Sequence, residues 1–478
     1  MQAASRLPVP LEIVHEVIGH LRLSSTCSSC LQTDLAALCA SSRALNAVAT
    51  PYLYSSINLA TLHNQASYIA RLHSLLDTLS AAGHLAGHVK SLQLSHLEPA
   101  TKECWNKLIA CTPNLRLLQG VDSFFPPDGD YADADETGDD FEAAIQVITA
   151  LQKLAGLEKV VLHQEVSPVR LSQLLGSGSC WPQLHTLALG CVVAEGSTFS
   201  DLSVLGAQKH LQHLFFYDLD LDYATPTEAD DALARLPPLR TLSIQYSLGF
   251  SLDGVARFLR QSPAHAGRLH TLEFLYQLRH TNSCAGVAAV LREAVGLRKL
   301  NLSLTRHGRA VEQPPDCCLA SASLEELVWT GVYNSPEAYR ASVPDGRFDD
   351  FVALVIASLP QLPALRRFAV GVEVCGVDPD PLVFAALRAE CARDASPLTL
   401  DPAELGGKRG KRILLELIQT VEMCNARQIE EMKHGVLEAA LDAPACAVLD
   451  TDKKPAFSNG DGDGDGDSDD ERCEADNI

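Results

Sequence analysis

Basic residues are scarce in this 478-residue chain: 38 Lys and Arg stand against 60 Asp and Glu, for a formal net charge of -22. Gripping nucleic acid by neutralising phosphates needs a basic face, and adhering to anionic membranes needs a basic surface, so neither partner is expected. Long apolar runs are missing as well. No window holds about 18 consecutive apolar residues, so no spanning helix is expected. The first residues, MQAASRLPVPLEIVHEVIGHL, form a mixed amphipathic stretch without the continuous apolar run of a signal peptide.

Catalytic signatures are absent too. There is no GxxxxGK phosphate loop, no strand-linked GxGxxG and no Ser, His and Asp arrangement. His15, Glu16 and His20 spell HEVIGH, one residue too long for the HExxH of zinc proteases; five residues apart, the two His lie about 140° apart around a helix and cannot share a metal. Cys27 and Cys30 make one CxxC with no second pair at finger spacing. The tail from Asn459 to Asp470 imitates a calcium loop but has Asp470 where the bidentate Glu belongs. The expectation is a non-catalytic protein with no catalytic residue, no metal and no cofactor. Fifteen cysteines without a frame suit free thiols in a reducing compartment, the cytoplasm or the nucleus.

What is present is apolar material, 46% of the residues, enough for a large core. The negative charge is concentrated: Asp122 to Glu142 and Asn459 to Ile478 carry 17 of the 22 net negative charges. Outside these two segments the chain is nearly neutral.

A short pattern with apolar residues at positions 1, 4 and 6 recurs: LHTLAL from Leu184, LQHLFF from Leu211, LRTLSI from Leu239, LHTLEF from Leu269, LRKLNL from Leu297 and LEELVW from Leu324. Weaker copies begin at Val89, Leu115, Leu157 and Leu365, and seven of the nine intervals between these ten anchors are 26 to 30 residues. Between them, Phe141 to Leu154, Leu252 to Leu259, Cys284 to Val295 and Phe348 to Leu359 have helical spacing. A strand, turn and helix repeated at about 28 residues is the period of a leucine-rich repeat, in which stacked units share one core. The fold class expected is α/β: a leucine-rich-repeat-like solenoid, or horseshoe, over residues 89–394, with insertions at 122–142 and 333–348. A connecting helical segment at 60–88 precedes it. Residues 395–443, with the basic stretch Lys408, Arg409, Lys411 and Arg412 and an amphipathic helix from Ile413, are read as a C-terminal cap, and 444–478 as a disordered acidic tail.

Residues 1–59 read as a small all-helical module. Pro10 and Glu12 suit the first turn of a helix, and Ile13, Val14, Val17, Ile18 and Leu21 form its apolar stripe. A loop from Ser24 to Thr33 follows; Asp34 then caps a second helix that Pro51 closes. Val9, Pro10, Glu12, Ile13, Val14, Val17, Leu21, Leu35, Leu38, Ser42, Arg43, Leu53 and Tyr54 together resemble the F-box family over about residues 8 to 59. That resemblance implies docking on the adaptor subunit of a cullin-RING ubiquitin ligase, with Pro10, Leu11, Val14, Leu21 and Leu35 as the contacts, while the repeats hold a target protein. The alternative is a leucine-rich-repeat interaction scaffold, or a small-GTPase regulator, without ligase association.

Strand alternation turns positions 3, 5 and 7 outward onto the concave face of the sheet. Phe215, Tyr217, Gln245, Glu273, Leu275, Lys299 and Asn301 in that set are the candidate target-binding residues, with Phe215, Tyr217 and Leu275 as its apolar patch.

Overall fold

The computed structural model describes residues 10–24, 28–59, 65–94, 102–120, 149–162, 175, 181–190, 204–217, 226–245, 250–277, 284–305, 318–333, 354–355, 357–374 and 414–418. The chain divides into two compact units, residues 1–433 and 434–478, and all described residues belong to the first. The acidic insertion, residues 334–348 of the second insertion, the basic stretch and the acidic tail lie outside the described residues.

The organising element is one 12-stranded parallel sheet whose strands follow chain order from end to end. Its strands are β1 (Ser56–Asn58), β2 (Ser91–Gln93), β3 (Leu117–Gln119), β4 (Lys159–Leu162), β5 (Thr186–Gly190) and β6 (His213–Tyr217), then β7 (Thr241–Gln245), β8 (Thr271–Gln277), β9 (Lys299–Thr305), β10 (Glu326–Tyr333), β11 (Arg367–Val374) and β12 (Leu414–Ile418). Each repeat contributes one strand, so the recurring sequence pattern becomes side-chain rows. Leu187, Leu214, Leu242, Leu272, Leu300 and Leu327, all at position 4, stand side by side in register. All ten position-1 anchors are buried, none more than 1% exposed. Apolar residues at positions 1, 4 and 6 therefore build one continuous core that no single repeat could close by itself.

The turn entering each strand is held by a backbone ladder. The carbonyl of Arg240 accepts from the N–H groups of His270 (2.8 Å) and Thr271 (3.0 Å). His270 does the same for Arg298 (2.8 Å) and Lys299 (2.9 Å), and Arg298 for Glu325 and Glu326. The ladder places each position-2 residue directly beside its counterpart in the next repeat. At Gly120, just after β3, φ is +81° and a side chain would run into the carbonyl of Leu94, so only glycine fits.

Helices return the chain between strands. Those of the first half are α4 (Gln65–Ala81), α5 (Gly83–Ala86) and α6 (Lys102–Cys111). Those of the second are α7 (Pro226–Ala234), α8 (Leu252–Arg260), α9 (Pro263–Arg268) and α10 (Cys284–Glu293). Ser251 caps α8 by accepting from Gly254 N–H, and Ser262 caps α9 by accepting from His265 N–H. The helical spacing read at 252–259 and 284–295 corresponds to α8 and α10. Of the segment 141–154, residues 149–154 are described, and 149–152 are helical.

At the N-terminus α1 (Leu11–Ser24), α2 (Ser28–Ser41) and α3 (Arg43–Ser55) pack around Val14, Ile18, Leu35, Val48 and Ala49. Three local expectations are corrected here. The segment read as a loop up to Thr33 is already helical from Ser28, because Leu31 packs on the bundle core and Gln32 Nε2 donates to Ser56 O at 3.0 Å. Asp34 consequently lies inside α2; the cap observed is Ser42, whose hydroxyl accepts from Leu45 N–H at 3.1 Å and separates α2 from α3. Pro51 lies within α3 and does not close it. The lost backbone bond there is offset by burial of Val48 and Ala49 before it and packing of Tyr52 and Leu53 after it.

The sheet also extends past both expected boundaries. Residues 56–58, assigned to the helical module, form β1, parallel to β2. Residues 414–418, expected to begin a capping helix, form β12, with Leu415 and Leu417 opposite Phe368 and Val370. The open hydrogen-bonding edge of β11 outweighs the local helical preference of LLELI. Residues 419–443 lie outside the described residues.

Candidate functional site

Two surfaces bear on function. The first is α1. Val14 and Ile18 face α2 and α3, whereas Leu11, Ile13 and Val17 are 48%, 46% and 51% exposed. Of the predicted contacts, Pro10 and Leu11 are exposed, Leu21 is half-buried, and Val14 and Leu35 are buried in the bundle. The last two therefore hold the helices together and offer no surface. Ile13 and Val17, read as part of the inward stripe, lie on the open side. An aliphatic stripe at 13, 14, 17, 18 and 21 is wider than the bundle can cover, so half of it stays in solvent. His15, one of the two histidines of HEVIGH, makes a 2.8 Å hydrogen bond with the Tyr52 hydroxyl, an ordinary helix-to-helix contact.

The second surface is the face of the sheet opposite the core. The candidate target-binding residues do lie there in register: Phe215 beside Ser243, Ser243 beside Glu273, and Glu273 beside Asn301. Their exposure differs from the expectation. Phe215, Leu275 and Asn301 are half-buried, while Tyr217, Gln245, Glu273 and Lys299 are buried. Parallel strands about 4.8 Å apart bring long side chains against one another, and here they interlock by polar bonds. Ser243 Oγ donates to Glu273 Oε2 at 3.0 Å, and Gln245 Nε2 donates to Ser243 Oγ at 2.9 Å. Lys299 Nζ lies 3.8 Å from Glu326 Oε1, which also receives Arg367 at 3.0 Å. The face is thus a braced polar surface with three accessible candidates. The β8–β9 register shifts between Phe274 and Gln277, which sets Leu275 at a local bulge.

Lys159, Arg240 and Arg298 line the lower edge of this face together with three histidines, and Glu158 and Glu325 stand at its ends. His213 Nδ1 and Thr241 Oγ1 share a 3.0 Å hydrogen bond, and His213 meets His185 edge to face at 6.4 Å. Burial, then His185, Arg240 and Lys159, push the His213 pKa down to about 4. His185 is lowered by burial and Lys159, against a smaller opposing effect of Glu158. His270 is lowered by burial, then by Arg298 and Arg240. No local cluster in the sequence announces this edge; it emerges when positions 2 and 3 are read down the repeats.

No known protein family and no curated protein matches the sequence. Among solved structures, the leucine-rich repeat-containing protein LegL7 from Legionella pneumophila aligns with 14% identity and a TM-score of 0.37, covering 68% of this chain and 95% of that one. The yeast Rad7 and Elc1 complex aligns with 12% identity and a TM-score of 0.29, covering 77% of this chain and 100% of the matched one. Among the described residues no helix is long and apolar enough to cross a membrane.

Proposed function

We propose that this chain is the non-catalytic substrate-recognition subunit of an SCF-type cullin-RING ubiquitin ligase: its N-terminal helices dock on the adaptor, and its leucine-rich-repeat horseshoe holds the target. The observation that carries this reading is the exposed apolar face of α1. Ile13 and Val17 lie about half exposed on the side of Pro10, with Leu11 exposed in the first turn, while Val14 and Ile18 fill the bundle, an arrangement suited to a helix-in-groove contact. A bundle serving only to cap the sheet would have no use for that second apolar face. In this reading the repeats supply the surface that holds the target, and the protein works by proximity and not by chemistry of its own.

The test is co-purification of the intact chain with the adaptor and cullin, compared with a Pro10→Ala, Val17→Asp variant. The intact chain is expected to recover both subunits and the variant neither, with unchanged thermal unfolding. Failure of the intact chain to recover adaptor overturns the ligase reading in favour of a repeat scaffold that binds its partner alone.

A further inference from the structure

The near-neutral body of this acidic protein carries a concentrated positive edge. Position 2 of successive repeats holds Arg240, His270 and Arg298, and the backbone ladder fixes these three residues side by side on adjacent strands. Both arginines are exposed and His270 is half-buried. Neighbouring strands lie about 4.8 Å apart, so the two guanidinium stems are rooted about 10 Å from one another. Among the described residues neither Arg240 nor Arg298 forms an ion pair, unlike Arg116, which pairs with Glu158 at 3.1 Å, and Arg367, which pairs with Glu326. Toward β4 the edge continues through the neutral imidazoles of His213 and His185 to the cationic Lys159. Lys159, Arg240 and Arg298 lie close enough to His185, His213 and His270 to add to the lowering of their pKa values that burial mainly causes.

We propose that the edge of strands β4 to β9, centred on Arg240, His270 and Arg298, is the docking site for an acidic peptide segment of the protein's partner. Two unpaired guanidiniums about 10 Å apart suit side-chain carboxylates carried by one extended segment, and guanidinium forks bind carboxylates in bidentate fashion. Nucleic acid is the less suited polyanion. Among the described residues the row is not interleaved with aromatic rings for base stacking, and Glu158 and Glu325 at its two ends limit it to a short segment. This assignment names the chemistry of the target and does not depend on whether the α1 face engages an adaptor.

The test is fluorescence anisotropy on the full chain with a labelled ten-residue oligoglutamate peptide at low salt. A ten-nucleotide oligodeoxythymidylate and an oligolysine peptide serve as comparison probes. The intact chain is expected to bind oligoglutamate and not oligolysine, with affinity falling as salt rises. Arg240→Glu with Arg298→Glu should weaken binding at least about tenfold. Arg292→Glu, an equal kind of charge change on the exposed side of α10, should leave it within about twofold. Circular dichroism confirms that each variant is folded, and Arg240→Lys with Arg298→Lys, which keeps the charge and loses the fork, should bind more weakly than the intact chain and more tightly than the double reversal. The proposal is overturned if the intact chain does not bind the peptide, if the double reversal binds as the intact chain does, or if the oligonucleotide binds as tightly as the peptide.

Discussion

Asp230 on α7 and Gly254 on α8 compete for one volume: a side-chain carbon at 254 would fall inside the Asp230 carboxylate. That carboxylate is buried, accepts from Ser251 N–H at 3.3 Å and from Ser251 Oγ at 3.0 Å, and pairs with Arg257. It thereby ties one repeat's helix to the start of the next. Gly254→Ala should destabilise the protein by about 2 kcal/mol or more, and Asp230→Ala by roughly 2–4 kcal/mol because Arg257 and Ser251 lose their acceptor. The double variant should be more stable than the sum of the two losses implies. Urea denaturation of the four proteins of the cycle measures the coupling.

Acidification should weaken the fold through His213. Its folded-state pKa of about 4 lies below the ordinary 6.5, so the unfolded chain takes up the proton first. The contribution is complete above about pH 6.5, declines as pH falls toward 4, and stops changing below that. His213→Gln, which cannot titrate, should lose less stability between pH 7 and pH 4.5. The expected difference is on the order of 1 kcal/mol after allowance for the partly accessible ring. Melting curves at five pH values would show it, and parallel pH dependences in the two proteins would refute it.

Phe216 on β6 and Phe250, just before α8, stack in the core with centroids 5.6 Å apart and planes 18° from parallel. Replacing either with Ala should cost about 3–5 kcal/mol, and a double-mutant cycle should return about 0.5–1.5 kcal/mol of coupling beyond the cavity terms. Independent additivity would mean the rings fill space without a specific interaction.

The two faces of α1 should respond oppositely. Val14→Ser, in the bundle core, should cost about 1–2 kcal/mol and raise hydrogen exchange through α1 to α3. Ile13→Ser and Val17→Ser should cost less than Val14→Ser, since these side chains are already about half exposed. Equal loss at all three positions would show that the exposed face is covered.

Leucines at positions 1, 4 and 6 are legible because core burial constrains them in every repeat, and the helices at 252–259 and 284–295 follow from their spacing. The terminal repeats are harder to see. Tyr54 and Arg412 stand where the anchor leucine belongs, so β1 and β12 lack their most visible signal although Ile57, Leu59, Leu415 and Leu417 retain the alternation. The orientation of α1 is not legible either: five aliphatics over half a helix circumference do not say which part meets α2 and α3. Alternation identifies the residues of the sheet face, but their exposure depends on neighbours 28 or so residues away, as Ser243, Gln245 and Glu273 illustrate. Arg240, His270 and Arg298 are equally separated in the chain, so their adjacency is a property of stacking alone.

Ser55 ends α3 and Ser56 begins β1 with nothing between them. A bundle joined this way has no tether on which to swivel, and the sheet becomes a ruler graduated in strands. Each graduation is about 4.8 Å, so β7, six strands from β1, stands roughly 29 Å along the sheet from the helices, and β9 roughly 38 Å. Gaining or losing one repeat between them would shift whatever the edge holds by a single graduation relative to whatever α1 holds, leaving both contact surfaces untouched while changing the distance they enforce.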